Sequence, residues 1–463
     1  MSPEPLAELL QRLPGLRVLT EPGDREHYGR DWTRRWTPAP LAIALPASIE
    51  EVQAIVRWAN DTHVALVPSG GRTGLSGGAV AAHGELVLSL ERMNRVLDFN
   101  AVDRTLTVQP GITLQAVHDA AASHGLLYPV DFAARGSCSI GGNIATNAGG
   151  IRVIRYGNTR EWIASLTVVA GNGELLAFNR GLIKNSSGYD LRQLMIGSEG
   201  TLGIVVEATL KLTERPPPSQ VMLLALPDMD ALMRVFALFR AQLSLQAFEF
   251  FTDRALHHVL AHGAQRAIEG EHPYYVVTEF DAADDKTQEL ALSTFEQAVE
   301  KGWVSDGVLA QSEAQAAALW RLREGITESL APHRPYKNDV SVKISAVPAF
   351  LHEMQALLAR EYPHIEVVWF GHIGDGNLHI NVLRPDALSE DAFIAQCEHV
   401  TTLLAATLKN HGGSISAEHG IGLVKRAYLD STRDAAEIAL MKGVRKVFDP
   451  RGILNPGKLF TDR

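Results

Sequence analysis

From Ser48 onward the apolar positions Val52, Ile55, Val56 and Ala59 recur at three- and four-residue spacing, which predicts a helix with one buried stripe. Ser48 followed by Glu51 supplies a capping box for its start. The run Val64-Ala-Leu-Val67 predicts a short buried strand, and it leads into Pro68-Ser-Gly-Gly-Arg-Thr-Gly-Leu-Ser-Gly-Gly78. Helix, strand and glycine loop make an α/β unit whose backbone can approach a ligand closely. Two further glycine-rich stretches come later, Gly136–Gly150 and Gly197–Gly203, the latter running into strand-like Ile204–Leu210.

The texture changes after Arg215-Pro-Pro-Pro218, since three successive prolines continue neither a helix nor a central strand. Leu319, Leu322, Ile326 and Leu330 form a helical stripe with Arg323 and Thr327 one turn apart on an adjoining face, and Pro332 stops the helix. Lys337 opens a strand with Val340, Val342 and Ile344 on one face and Lys337, Asp339, Ser341 and Lys343 on the other. Val367–Phe370 reads as a buried strand, and Leu378, Ile380 and Val382 alternate with His379 and Asn381. The glycines of His372-Ile-Gly-Asp-Gly-Asn-Leu-His379 predict a tight reversal that brings the two histidines together at the mouth of a hairpin.

At 463 residues the chain is long enough for two or three domains. A composition 46% hydrophobic and 21% charged excludes a disordered chain and a multi-span membrane protein. Two cysteines, Cys138 and Cys397, exclude a disulfide framework. No secretory signal and no membrane span is read, so the expectation is a soluble, cytoplasmic protein. Lys and Arg number 43 against 53 Asp and Glu, a net charge of −10. That sign argues against nucleic acid as a partner, and an anionic substrate must be held by a few cations placed locally.

Three glycine clusters suggest a nucleotide diphosphate lying along backbone N–H groups, with tight turns as the plain alternative. No Gly-Lys-Ser/Thr follows the first cluster and its spacing is not GxGxxG, so neither NTP hydrolysis nor a Rossmann site is expected. His372 and His379 suit Zn²⁺ or another borderline divalent metal, and Glu418 in Ser-Ala-Glu-His419-Gly is the natural third ligand. Surface-turn histidines bonded to backbone are the alternative. Glu418 and His419 are neighbours whose side chains should diverge, leaving His419 as a general base. For Arg323 and Lys337, a solvated helix and an edge strand explain the pattern equally well.

The glycine stretches Pro68–Gly74, Gly136–Gly150 and Gly200-Thr-Leu-Gly-Ile-Val205 resemble the FAD signatures of the vanillyl-alcohol oxidase flavoprotein superfamily. The order Arg323…Thr327, Lys337-Asn-Asp339, Gly-His372…His379, Ala-Glu418-His419-Gly and Asn455-Pro-Gly-Lys458 resembles its D-2-hydroxyglutarate dehydrogenase group over nearly the whole chain. The resemblance implies non-covalent FAD, because Arg72 and Thr73 occupy the stretch where some members carry a linking histidine. It implies cofactor contacts from Pro68, Ser69, Gly70, Gly71, Arg72, Thr73 and Gly74 in the first loop. In the second it implies Gly136, Ser137, Gly141, Gly142, Thr146, Asn147 and Gly150, and beyond it Gly200, Ile204 and Asn455. His372, His379 and Glu418 would bind the metal and His419 would be the catalytic base. Arg323, Thr327, Lys337 and Asn381 would hold the substrate.

The implied fold is α+β. A FAD-binding domain would span 1–218, a substrate domain with an antiparallel sheet 219–404, and a C-terminal helical segment 405–463. The implied activity is FAD- and metal-dependent oxidation of a D-2-hydroxy dicarboxylate, D-2-hydroxyglutarate or D-malate, to the 2-oxo acid. An electron-transfer flavoprotein or similar acceptor would take the electrons, and a homodimer is a family expectation. The alternative within the superfamily is a D-lactate or glycolate dehydrogenase; such relatives share the histidine motif and generally lack the lysine matching Lys337. Lys343 stands where relatives often carry a small residue or proline. A zinc hydrolase would use the histidines without flavin, and a non-catalytic flavin carrier would need no metal.

Overall fold

A computed structural model describes residues 4–461. The chain divides into two compact units, one of residues 1–150, 156–215 and 418–463, the other of 151–155 and 216–417.

In the first unit the Ile49–Thr62 helix starts where Ser48 accepts a hydrogen bond from the Glu51 N–H. Glu51 reaches one residue further back than expected, taking the Ala47 N–H at 2.6 Å. The helix buries Val52, Ile55, Val56, Trp58 and Ala59, with Val52, Ile55 and Val56 each contributing about 1.5–3 kcal/mol. It packs on a four-stranded sheet ordered Arg17–Leu19, Ala42–Leu45, Leu86–Ser89, Leu66–Ser69, the last three parallel. The strand after the helix therefore starts two residues later than the apolar run suggested, and carries Pro68 and Ser69 within it. A second, antiparallel sheet of five strands is ordered Val96–Asn100, Thr105–Val108, Ile204–Lys211, Ile163–Val169, Leu175–Phe178. The C-terminal stretch returns to the first sheet: Leu66 donates to Ile453 and accepts from Asn455, both at 2.8 Å.

The second unit holds a seven-stranded sheet, antiparallel throughout. Its order is Asp306–Leu309, Ser219–Leu226, Tyr274–Asp281, Leu245–Thr252, Val367–Gly371, Asn377–Val382, Tyr336–Ser341. One face buries Val221, Leu223, Phe251, Tyr275 and Phe370 against helices Asp253–Ala261 and Glu313–Glu324. The Leu245–Thr252 strand is buried at every residue but the last. The apolar stripe read as one helix to Leu330 is two, Glu313–Glu324 and Ile326–Leu330, because Gly325 closes the first and opens the second. The Tyr336–Ser341 strand also ends sooner than expected, and Lys343 lies exposed before a 3-10 turn, off the strand face assigned to it.

Candidate active site

The hairpin forms as its sequence suggests: Val367–Gly371 pairs with Asn377–Val382, and Phe370 stands opposite His379. Gly376 takes φ +86°, and a Cβ there would fall 2.2 Å from the Val342 carbonyl oxygen, so the reversal depends on glycine. The His372 and His379 rings meet edge-on with centroids 5.2 Å apart, and each offers a nitrogen within 4.8 Å of the other. On the third strand Asp339 stands opposite His379 and Lys337 opposite Asn381. Side chains two apart share a face, so Lys337, Asp339, His379 and Asn381 make one patch. Asn377 Nδ2 donates to Asp339 at 2.8 Å and fixes that carboxylate. Lys337 reaches solvent by surface area, yet the protein packed around its ammonium strips enough water to lower its pKa.

Arg323 and Thr327 part company across the Gly325 break. Thr327 is exposed, whereas Arg323 is buried and its Nη2 lies 2.8 Å from Glu249 Oε2. Glu249 also meets His372 Nδ1 at 2.9 Å. This carboxylate went unread in the sequence. The signal was a lone charge in the apolar strand Leu-Gln-Ala-Phe-Glu249-Phe-Phe.

In the first unit the glycine loops touch. A Cβ on Gly70 would fall 2.1 Å from Ser139 Oγ, and one on Gly71 2.0 Å from the Ser137 carbonyl oxygen. Ser137 itself is exposed beside Gly136. The second glycine stretch contains a short helix, Ile140–Thr146, capped by Ser139 and closed by Asn147 in the left-handed region. Gly141 packs on Pro110 and Gly150 on the Asp131 carbonyl, while the Thr146 hydroxyl donates back to Gly142. Arg72 lies over the Tyr28 ring at 4.4 Å and donates to the Gly70 carbonyl, with Thr73 and Gly74 next along the loop. Gly200 (φ +70°) packs on Pro68, and the Ile204 side chain is core, leaving only its backbone to a ligand. Asn455 Nδ2 donates to the carbonyls of Gly78 and Glu199, tying the first and third loops together.

Glu418, joined directly to Ala417 at the end of the second unit, opens the last stretch of the first. Its Oε1 lies 3.7 Å from His419 Nε2, so the two tips converge rather than diverge. The backbone bends through this segment before Gly420 at φ +80°. Glu199 clamps the backbone just past that glycine, accepting from the Ile421 and Gly422 N–H groups at 2.7 and 2.8 Å. Burial pushes its carboxyl up to about 7, and burial brings the Lys458 ammonium down to about 8.

The loop residues fit a flavin dinucleotide. Gly136 has open space at its Cβ position, and among the described residues the buried Ser69 Oγ and Asn455 Oδ1 have no hydrogen-bond partner. The histidine pair with its carboxylates fits a borderline divalent cation.

Comparison with known proteins agrees with the flavin site. Residues 40–179 match the FAD binding domain model and 215–459 the C-terminal domain of FAD linked oxidases. A D-2-hydroxyglutarate dehydrogenase of Xanthomonas citri pv. viticola is 73% identical over 98% of this chain and 96% of its own length. One of Stutzerimonas stutzeri is 55% identical over 97% of both chains. The chain belongs to the D-2-hydroxyglutarate dehydrogenase family. Like that family, it is an FAD-dependent 2-hydroxyacid dehydrogenase of α+β fold. The fold is shared with p-cresol methylhydroxylase, at a TM-score of 0.75 and 13% identity over 100% of this chain and 98% of that one. Among the described residues, no helix is long and apolar enough to cross a membrane.

Proposed function

We propose that this chain oxidises D-2-hydroxyglutarate, and D-malate with it, to the 2-oxo acid. The observation that carries the dicarboxylate preference is the register of the outermost strand pair, Tyr336–Ser341 with Asn377–Val382, which sets Lys337 opposite Asn381 and Asp339 opposite His379. Two residues of strand, about 7 Å, thus separate a lysine from a histidine of the metal pair, a span suited to a short dicarboxylate. His372, His379 and Glu418 are the metal ligands in this reading. The metal, when bound, lowers the pKa of a coordinated hydroxyl. FAD, when bound along Pro68–Gly74 and Gly136–Gly150, supplies the two-electron acceptor. His419 takes the hydroxyl proton from substrate, Lys337 holds the distal carboxylate, and Arg323, Thr327 and Asn381 orient the C1 end.

The same reading takes the metal as zinc or another divalent ion and the flavin as non-covalent. It takes an electron-transfer flavoprotein as electron acceptor, and a cytoplasmic homodimer as the working form. The test is kcat/KM with an artificial acceptor dye over D-2-hydroxyglutarate, D-malate, D-lactate, glycolate and the L enantiomers. The D-dicarboxylates should lead. D-lactate turning over as well as either would sink the dicarboxylate assignment.

A further inference from the structure

We infer that Glu249 is a positioning residue that holds a metal-ligand histidine and the substrate-facing arginine through one buried carboxylate. The inference rests on the reading of His372 and His379 as metal ligands. Antiparallel register sets Glu249 in place: Phe250 pairs with Gly371 and Phe251 with Phe370, so the next step brings Glu249 opposite His372. Both carboxylate oxygens lie 2.9 Å from His372 Nδ1. The carboxylate accepts, so Nδ1 carries the hydrogen and the imidazole lone pair sits on Nε2, the nitrogen a divalent cation takes.

A carboxylate in a strand with both faces covered costs several kcal/mol unless a cation meets it. Arg323 does, through Nη2 at 2.8 Å, its side chain 7% exposed against 1% for Glu249. The Arg323 guanidinium also lies over the Phe370 ring at 4.9 Å, and that ring is 5.1 Å from the His379 ring. Arg323 is thus linked to one histidine through Glu249 and to the other through Phe370. Part of its charge is engaged by Glu249, so Glu249 also sets how strongly Arg323 holds the C1 end of the substrate. Removing Glu249 should therefore loosen metal and substrate together, which a purely structural residue would not do in protein that still folds.

The experiment uses FAD-loaded protein stripped of metal and dialysed to equilibrium against Zn²⁺, with bound metal measured by elemental analysis. Glu249→Gln, which keeps the shape and one acceptor oxygen, should weaken Zn²⁺ binding about 10- to 100-fold. Glu249→Ala should weaken it further. KM for D-2-hydroxyglutarate should rise in both, with flavin content unchanged. Parent and Glu249→Gln binding Zn²⁺ equally, at equal KM, overturns the inference and leaves the metal reading standing. A parent that binds no Zn²⁺ overturns both. If neither variant folds, the histidine ¹⁵N spectrum of the parent decides, with His372→Gln assigning the signal. Hydrogen on Nδ1 supports the inference and hydrogen on Nε2 overturns it.

Discussion

On the proposed reading, Lys337 is the residue on which substrate choice turns. Lys337→Ala should cut kcat/KM for D-2-hydroxyglutarate about 10- to 100-fold, the scale of a charge-assisted contact, and leave D-lactate nearly untouched. Equal losses for both would remove its assigned role. Because burial lowers its pKa, its charge is present at low pH and is lost on alkalinisation sooner than that of an ordinary lysine. KM for the dicarboxylate should accordingly rise at alkaline pH before that for D-lactate does, and parallel profiles would contradict this. At this scale the pairing of His372 and His379 was legible in short-range spacing, whereas Lys337 was singled out only by the family resemblance, since an edge strand explains its pattern equally well. Glu249 was not legible, since its partners lie far along the chain, His372 reached through sheet register and Arg323 from the helix Glu313–Glu324 packed on the sheet. Convergence of Glu418 and His419 was likewise invisible, because it depends on a backbone bend that adjacency does not reveal.

Among the elements, the glycine loops carry the cofactor argument. Gly71→Ala would drive a Cβ into the Ser137 backbone, which cannot yield as a side-chain tip can, so purified protein should lose bound flavin, read as absorbance near 450 nm per chain. Gly15→Ala, outside the loops and with open space at its Cβ position among the described residues, is the matched control and should keep its flavin. Retention of flavin by Gly71→Ala would count against the loop assignment. The short helix inside the second loop escaped notice because Gly141 and Gly142 mask the Ile140 and Ile144 pair.

Glu199 ties the third loop to the segment after His419 and gives a pH signature. Its folded pKa of about 7 stands above the ordinary 4.5, so its stability contribution is complete below the ordinary value and lost as pH rises through about 7. The thermal midpoint should fall across that window in the parent and fall less in Glu199→Gln. A parent midpoint flat over the window would contradict it.

For the whole molecule, apolar periods and proline breaks marked single elements and a linker, while the α+β architecture with an antiparallel sheet was expected from the family resemblance. Strand order and the return of the C-terminal stretch to Leu66 depend on contacts between distant segments that no local pattern records. The net charge of −10 opposes an anionic substrate at long range, so on the proposed reading capture belongs to local cations, the bound metal among them. The measurement that tests this most directly is anaerobic mixing of D-2-hydroxyglutarate with protein that retains FAD but has been stripped of metal by a chelator. The flavin absorbance should stay at its oxidised level until a divalent metal is restored, and then bleach. Bleaching at the full rate without metal would contradict the account.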